Sequence, residues 1–164
     1  IIGFGKAAEL ALSRLQEENV RVRALRDRLE QGILRNIPQT ARNGATEPRL
    51  PNTANISFQF VESEAVLLML DQLGICASSG SACTTGSVEP SHVLTAMGVN
   101  PVRARGSVRF SLSIDNTEAE VDYVLEHLPA VISRLRAISP LAPRAAEAPS
   151  APAKNANPLA AKPV

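Results

Sequence analysis

The chain has 164 residues, enough for one domain with an ordinary core plus a tail. Its apolar fraction of 45% is that of a folded domain, and with aromatics at 3% the interior must be filled by aliphatic side chains. A net charge of +1 gives no general attraction to nucleic acid or anionic membrane, no apolar run reaches the roughly 18 residues of a membrane span, and nothing reads as a secretory signal. Two cysteines, Cys76 and Cys83, point to a reducing compartment, the cytoplasm, since disulfide frameworks use more cysteines in shorter chains. The opening at Ile1, without methionine and inside an apolar, helix-prone run, is what a fragment of a longer protein shows.

Residues 1–36 read as helix, with Leu12, Leu15, Val22, Leu25, Leu29 and Ile33 on one stripe. Eight arginines fall between Arg14 and Arg49, and the acids interleaved with them predict a solvated, ion-paired face rather than a nucleic-acid surface. Pro38 to Pro51 reads as a polar connection with an Asn43-Gly44 turn. From Ala54 to Val61 the pattern alternates, Ile56, Phe58 and Phe60 against Asn55, Ser57 and Gln59, as in a half-buried strand. A second helix is predicted from Glu62 to Leu73 with Val66, Leu67, Leu70 and Leu73 inward, ended by Gly74, and Ile75 to Ala77 is at most a short strand.

Ser78 to Ser87 is ten small or polar residues without periodicity, the pattern of a mobile loop. Pro90 suits the first turn of a short helix ending near Gly98. Ser107 to Ser111 reads as a strand with Val108 and Phe110 on one face and Arg109 on the other. The last helix opens on a Thr117–Glu120 capping box, and Pro129 is expected to kink or split it. After Pro140 the alanine, proline and lysine content predicts a disordered tail. The order of elements predicts a small α+β domain, helices packed on one sheet, over residues 1–139, with the tail at 140–164.

Cys83 stands in the middle of the small-residue loop. It reads either as an accessible, reactive thiol, which needs a cationic or dipolar neighbourhood, or as a plain surface thiol. Cys76, in an apolar run after Ile75, is expected in the core. A Cys76–Cys83 disulfide, or a metal site of these cysteines with His92 and His127, has no recognised spacing behind it, and both histidines read as surface residues. Gly80 and Gly86 invite a phosphate-cradle reading, but the Lys-Ser/Thr ending of such loops is missing. Arg109 either grips a carboxylate through a bidentate pair or lies on the open face of an edge strand.

The run Ser78-Ser79-Gly80-Ser81-Ala82-Cys83-Thr84-Thr85-Gly86-Ser87-Val88-Glu89-Pro90-Ser91-His92-Val93-Leu94 resembles the active-site loop of NifS-type cysteine desulfurases. Leu50-Pro51-Asn52-Thr53-Ala54-Asn55-Ile56-Ser57-Phe58 resembles the strand before that loop, and Val108-Arg109-Phe110-Ser111-Leu112 with Thr117-Glu118 the segment after it; the likeness runs from about residue 1 to 140. Pro90-Ser91-His92 and Arg134-Leu135-Arg136-Ala137-Ile138-Ser139-Pro140 lean toward the nitrogen-fixation branch.

The resemblance implies the small C-terminal domain of a fold-type I, class V aminotransferase-like enzyme that uses pyridoxal phosphate and works as a homodimer. It implies that the cofactor captures L-cysteine, that Cys83 takes the sulfur as a persulfide while alanine leaves, and that an iron–sulfur scaffold protein accepts it. Arg109 would grip the substrate carboxylate. No intrinsic metal is implied; Cys83 is the one residue that the likeness would place at an iron–sulfur cluster shared with that scaffold.

Ile114 and Asp115 depart from the family's frequent arginine and aromatic residue. The only lysines are Lys6, Lys154 and Lys162, none in a strand-to-loop setting suited to the cofactor, so the cofactor lysine is expected upstream of Ile1 and the fragment alone is expected to be inactive. The alternatives are a non-enzymatic sulfur-relay module and another class V transferase with an incidental cysteine.

Overall fold

The computed structural model describes residues 1–80 and 90–142. Expectations placed on residues 81–89, Cys83 among them, and on residues 143–164, most of the tail, lie outside the described residues.

A long helical run opens the chain: α1 (Ile2–Glu17), a π-helical turn (Glu18–Val22) and α2 (Arg23–Asn36). The two halves differ in environment. In α2, Leu25, Leu29 and Ile33 recur at helical spacing and are buried, whereas α1 buries no residue and exposes Phe4, Leu12 and Leu15. The expected single stripe is therefore buried only from Val22 onward.

Three antiparallel strands follow in the order β1 (Thr40–Arg42), β2 (Thr53–Phe58) and β3 (Ser107–Ser111). β2 and β3 pair with Ala54 opposite Phe110 and Ile56 opposite Val108, and period-two alternation puts these four on one face with Phe58. That face is covered by α2, by α3 (Ser63–Asp71) and by α6 (Glu118–Ile138), through Leu29 and Ile33, Val66 and Leu70, and Val121, Leu128 and Ile132. Among the described residues the architecture is thus an α+β unit with helices packed on one three-stranded sheet, as the sequence pattern predicts.

Close approaches need glycine at two points. A Cβ on Gly32 of α2 would collide with the Leu125 side chain of α6, and one on Gly106 would collide with the carbonyl oxygen of Phe58.

Several expectations are corrected. β1 lies inside the stretch read as a polar connection; it is too short to show alternation. β2 ends at Phe58, and Phe60, expected inward, adopts φ 66° and is half-buried. There the chain turns into α3, and Arg136 donates to the carbonyls of Gln59 and Gln39, holding the corner. α6 is continuous through Pro129 rather than split. Proline removes one helical donor, but buried side chains on both sides of it, Val121 before and Ile132 after, pack on the same core. A further helix, α5 (Pro101–Arg105), follows α4 (His92–Ala96). Its signature is the Asn100 cap, whose side chain accepts from Val102 N, with Pro101 in the first turn.

The arginine-rich face is only partly solvated. Arg26 is 0% exposed and Glu30 is 3% exposed. Glu30 accepts from Arg49 at 2.7 and 2.8 Å and from Arg42 at 3.1 Å, while Arg26 donates to the carbonyl of Leu50. These bonds strap the 42–50 segment onto α2, because a buried carboxylate must be paired. Burial pushes the Glu30 carboxyl up, but the hydrogen bonds and charges of Arg49 and Arg42 outweigh it and hold it below the ordinary value of 4.5.

A carboxyl depressed in the folded state stabilises above its unfolded pKa, and that contribution is lost as pH falls through the folded value. Glu30→Gln should therefore destabilise the chain by about 3 kcal/mol at neutral pH. In urea titrations, the gap between wild type and variant should narrow as pH drops below about 4.5. A gap independent of pH would contradict the pairing.

Candidate active site

The polar face of the sheet is the one turned away from α2 and α6. Its alternate positions carry Thr53, Asn55 and Ser57 on β2 and Ser107, Arg109 and Ser111 on β3. The burial pattern of β3 leaves Arg109 exposed between buried Val108 and Phe110, where the alternation puts it. Directly opposite Arg109 on β2 stands Asn55.

Toward one end this face is closed by a hydrogen-bonded cluster. Asn43 Nδ2 donates to Asn55 Oδ1 (2.7 Å), Ser57 Oγ (2.8 Å) and Ser107 Oγ (3.1 Å). From α5, Arg103 Nη2 donates to Asn43 Oδ1 (2.8 Å) and to the Arg42 carbonyl (2.7 Å), and Ser107 Oγ donates to the Arg103 carbonyl (3.1 Å). Asn43, Ser57 and Ser107 are buried, so these bonds meet the requirement that buried polar atoms be paired.

On the other side of β3, Arg109 is joined by its backbone to Ser78. Ser78 N donates to the Arg109 carbonyl (3.0 Å) and Arg109 N to the Ser78 carbonyl (2.6 Å), an isolated antiparallel bridge. Ser78 Oγ donates to the Gly80 carbonyl at 2.9 Å. The structure thus fixes the root of the cysteine-bearing segment beside the exposed arginine; Cys83 itself lies outside the described residues.

Cys76, expected in the core, is exposed. Gly74, at φ 72°, turns the chain after α3, and the extended residues that follow alternate, with Ile75 and Ala77 packed against the core and Cys76 outward. It borders a cavity of about 490 Å³ lined largely by apolar residues, including Leu29, Phe110 and Val121. His92 is exposed at the start of α4, and His127 Nδ1 faces the Tyr123 carbonyl at 2.9 Å. Among the described residues no three His, Cys, Asp or Glu side chains gather as a metal site, and no helix is long and apolar enough to cross a membrane.

Pyridoxal phosphate is bound through a lysine amine in a cavity. Lys6 sits on exposed α1, ion-paired to Glu9 at 2.9 Å, and Lys154 and Lys162 lie outside the described residues. The described residues do not fit the group.

The family model for class-V aminotransferases matches residues 1–124. The chain belongs to the class-V aminotransferase family. A cysteine desulfurase of Gluconacetobacter diazotrophicus is 58% identical to it over 150 residues, covering 92% of this chain and 38% of that protein. The cysteine desulfurase NifS of Azotobacter vinelandii is 54% identical over 140 residues, covering 85% of this chain and 35% of that protein. The crystal structure of a NifS-like protein from Rickettsia africae superposes with a TM-score of 0.68 at 32% identity, over 80% of this chain and 33% of that one. The chain therefore spans little more than a third of the length of the curated relatives it matches.

Asn55 and Asn43 were not marked as site residues by the sequence, and Ser78 entered only as the first residue of the active-site-loop resemblance. The signal for Asn55 was its place among the outward positions of β2; its pairing with Arg109 depends on register, which the sequence does not print.

Ser78→Pro would remove the amide that donates to the Arg109 carbonyl. Losing one such bond, worth about 1 kcal/mol, should speed hydrogen exchange at the Arg109 amide roughly fivefold. Hydrogen–deuterium exchange resolved to the β3 peptide would measure it, and unchanged protection would mean the bridge does not anchor the segment.

Proposed function

We propose that these residues form the smaller, C-terminal part of a cysteine desulfurase, with residues 1–139 as its folded unit. The observation that carries the reading is the identity of 58% and 54% to proteins named cysteine desulfurase. It is supported by the juxtaposition of Arg109 with Ser78, the first residue of the segment that holds Cys83.

In this reading Arg109 binds the α-carboxylate of L-cysteine. A guanidinium on a paired strand offers two parallel donors at a fixed site, which suits a carboxylate better than a lysine's point charge. The Cys83 thiolate accepts the substrate's sulfur: the carbon–sulfur bond of cysteine breaks, a sulfur–sulfur bond forms on Cys83, and alanine leaves with the proton it needs. The atoms and electrons balance without an external oxidant, since the substrate's carbon is reduced as its sulfur is oxidised. Pyridoxal phosphate would supply the electron sink for this cleavage. Because the described residues do not fit it, its lysine belongs, in this proposal, to a part of the parent outside these 164 residues. The same reading assigns the sulfur to an iron–sulfur scaffold protein of the nitrogenase-assembly type and the working state to a homodimer.

The test is mass spectrometry of the full-length parent after incubation with L-cysteine, with the Cys83 peptide isolated. One added sulfur atom on Cys83, removed by thiol, is expected, and Cys83→Ala should abolish both the adduct and sulfur delivery. An unmodified Cys83 in an enzyme that still releases alanine would overturn its role. No alanine at all would bring forward a different class V transferase.

A further inference from the structure

We infer that Asn55 is a second substrate-binding residue, whose side-chain amide donates to the same carboxylate that Arg109 holds; the inference rests on the desulfurase reading. Two observations place it there. Asn55 is the direct cross-strand partner of Arg109 in the β2–β3 register, and residues so opposed project from one face with Cβ atoms roughly 5 Å apart. Its neighbours along β2, Ala54 and Ile56, point into the core, so the Asn55 side chain shares the polar face with the guanidinium.

The second observation concerns which end of the amide is presented. Asn43 Oδ1 is occupied by Arg103 Nη2 at 2.8 Å and by the Ser57 hydroxyl at 3.1 Å. Only the Asn43 nitrogen is left for Asn55, and it donates to Asn55 Oδ1 at 2.7 Å. The oxygen of Asn55 is therefore tied inward, and its NH₂ group has no hydrogen-bond partner among the described residues. A donor held beside a guanidinium does nothing for the guanidinium, which is itself donor-only. It complements an anion with free lone pairs, and a carboxylate bound bidentately by arginine has two to spare. Arg103, from α5, acts at one remove as the group that sets the orientation of Asn43 and hence of Asn55.

The experiment uses the full-length parent and compares Asn55→Ala and Asn55→Asp with wild type. Asn55→Asp keeps an oxygen for Asn43 but replaces the donor with a negative charge next to Arg109. A hydrogen bond to a charged group is worth enough to shift binding by about tenfold or more. The KM for L-cysteine should rise by at least that factor in Asn55→Asp and by a smaller factor in Asn55→Ala. The inhibition constant of L-alanine, which shares the α-carboxylate, should rise in parallel, while kcat at saturation changes much less.

A purely structural Asn55 would lower the thermal midpoint without this split between KM and kcat. Wild-type values of both constants in either folded variant would overturn the inference. Should Asn55→Ala not fold, the isosteric Asn55→Asp carries the test. Arg109→Lys separates the two levels: if it leaves KM unchanged, the carboxylate site itself is misplaced and the inference falls with it. If it raises KM while the Asn55 variants do not, only Asn55 is wrong.

Discussion

The antiparallel pairing of β2 with β3 is the constraint on which the rest of the structure depends. With Ala54 opposite Phe110 and Ile56 opposite Val108, every apolar residue of the pair enters the helix-covered core, and every polar one leaves it. A slip by one residue would put Arg109 into that core and Phe110 into water. The cost of burying an unpaired guanidinium is several kcal/mol, so the core excludes the alternative registers. The same pairing that packs Ile56 and Val108 therefore also determines that Arg109 and Asn55 emerge side by side. Stability and site geometry are one decision here.

Around that sheet, charge is used in two ways. On α6, the reciprocal Thr117–Glu120 cap and the Arg28–Asp122 pair at 2.7 Å lie in solvent, where such contacts adjust stability by small amounts. The Glu30–Arg49–Arg42 cluster is largely buried, and there the carboxylate cannot be left alone without a large penalty. It ties the irregular 42–50 segment to α2, and that segment carries Asn43 to the edge of the polar face. The arginines that looked like one solvated face are divided between these duties by burial. α1 has only the weaker kind, exposed pairs such as Lys6–Glu9: it buries nothing, and a helix of its length is marginal on its own in water.

Much of this was legible in the sequence where one local period dominates. β3 was bounded at both ends because Val108 and Phe110 alternate with Ser107, Arg109 and Ser111, and the α6 cap was read from Thr117 and Glu120 because a capping box is a four-residue code. What was hidden depends on partners far along the chain. β1 exists because Thr40 and Arg42 find Phe58 and Ile56 across the sheet. Cys76 is exposed because Gly74 changes the chain's direction, so that apolar Ile75 and Ala77 turn in and the residue between them turns out. The continuity of α6 through Pro129 reflects packing on both sides of the proline, which a propensity argument does not weigh. For the site, Arg109 could be nominated from its strand, but its neighbours Asn55 and Ser78 required a register and a bridge.

On the proposed function, the bridge between Ser78 and Arg109 would link two demands that pull in opposite directions. Holding a substrate calls for a donor on a rigid element, since a misplacement of an ångström in the grip weakens both binding and alignment. Passing a sulfur atom to another protein calls for a thiol that is not rigidly placed, because the positions of receipt and delivery differ. In the desulfurase reading tethering would meet both: Cys83 follows Ser78 by five residues, so chain length alone keeps its Cα within about 18 Å of the bridge. On that reading the strand that would hold the substrate would also be the post from which the sulfur-accepting thiol hangs, with chain length setting the outer limit of their separation. A shortened segment would keep the grip intact and curtail delivery, whereas a disturbed β2–β3 register would lose both together.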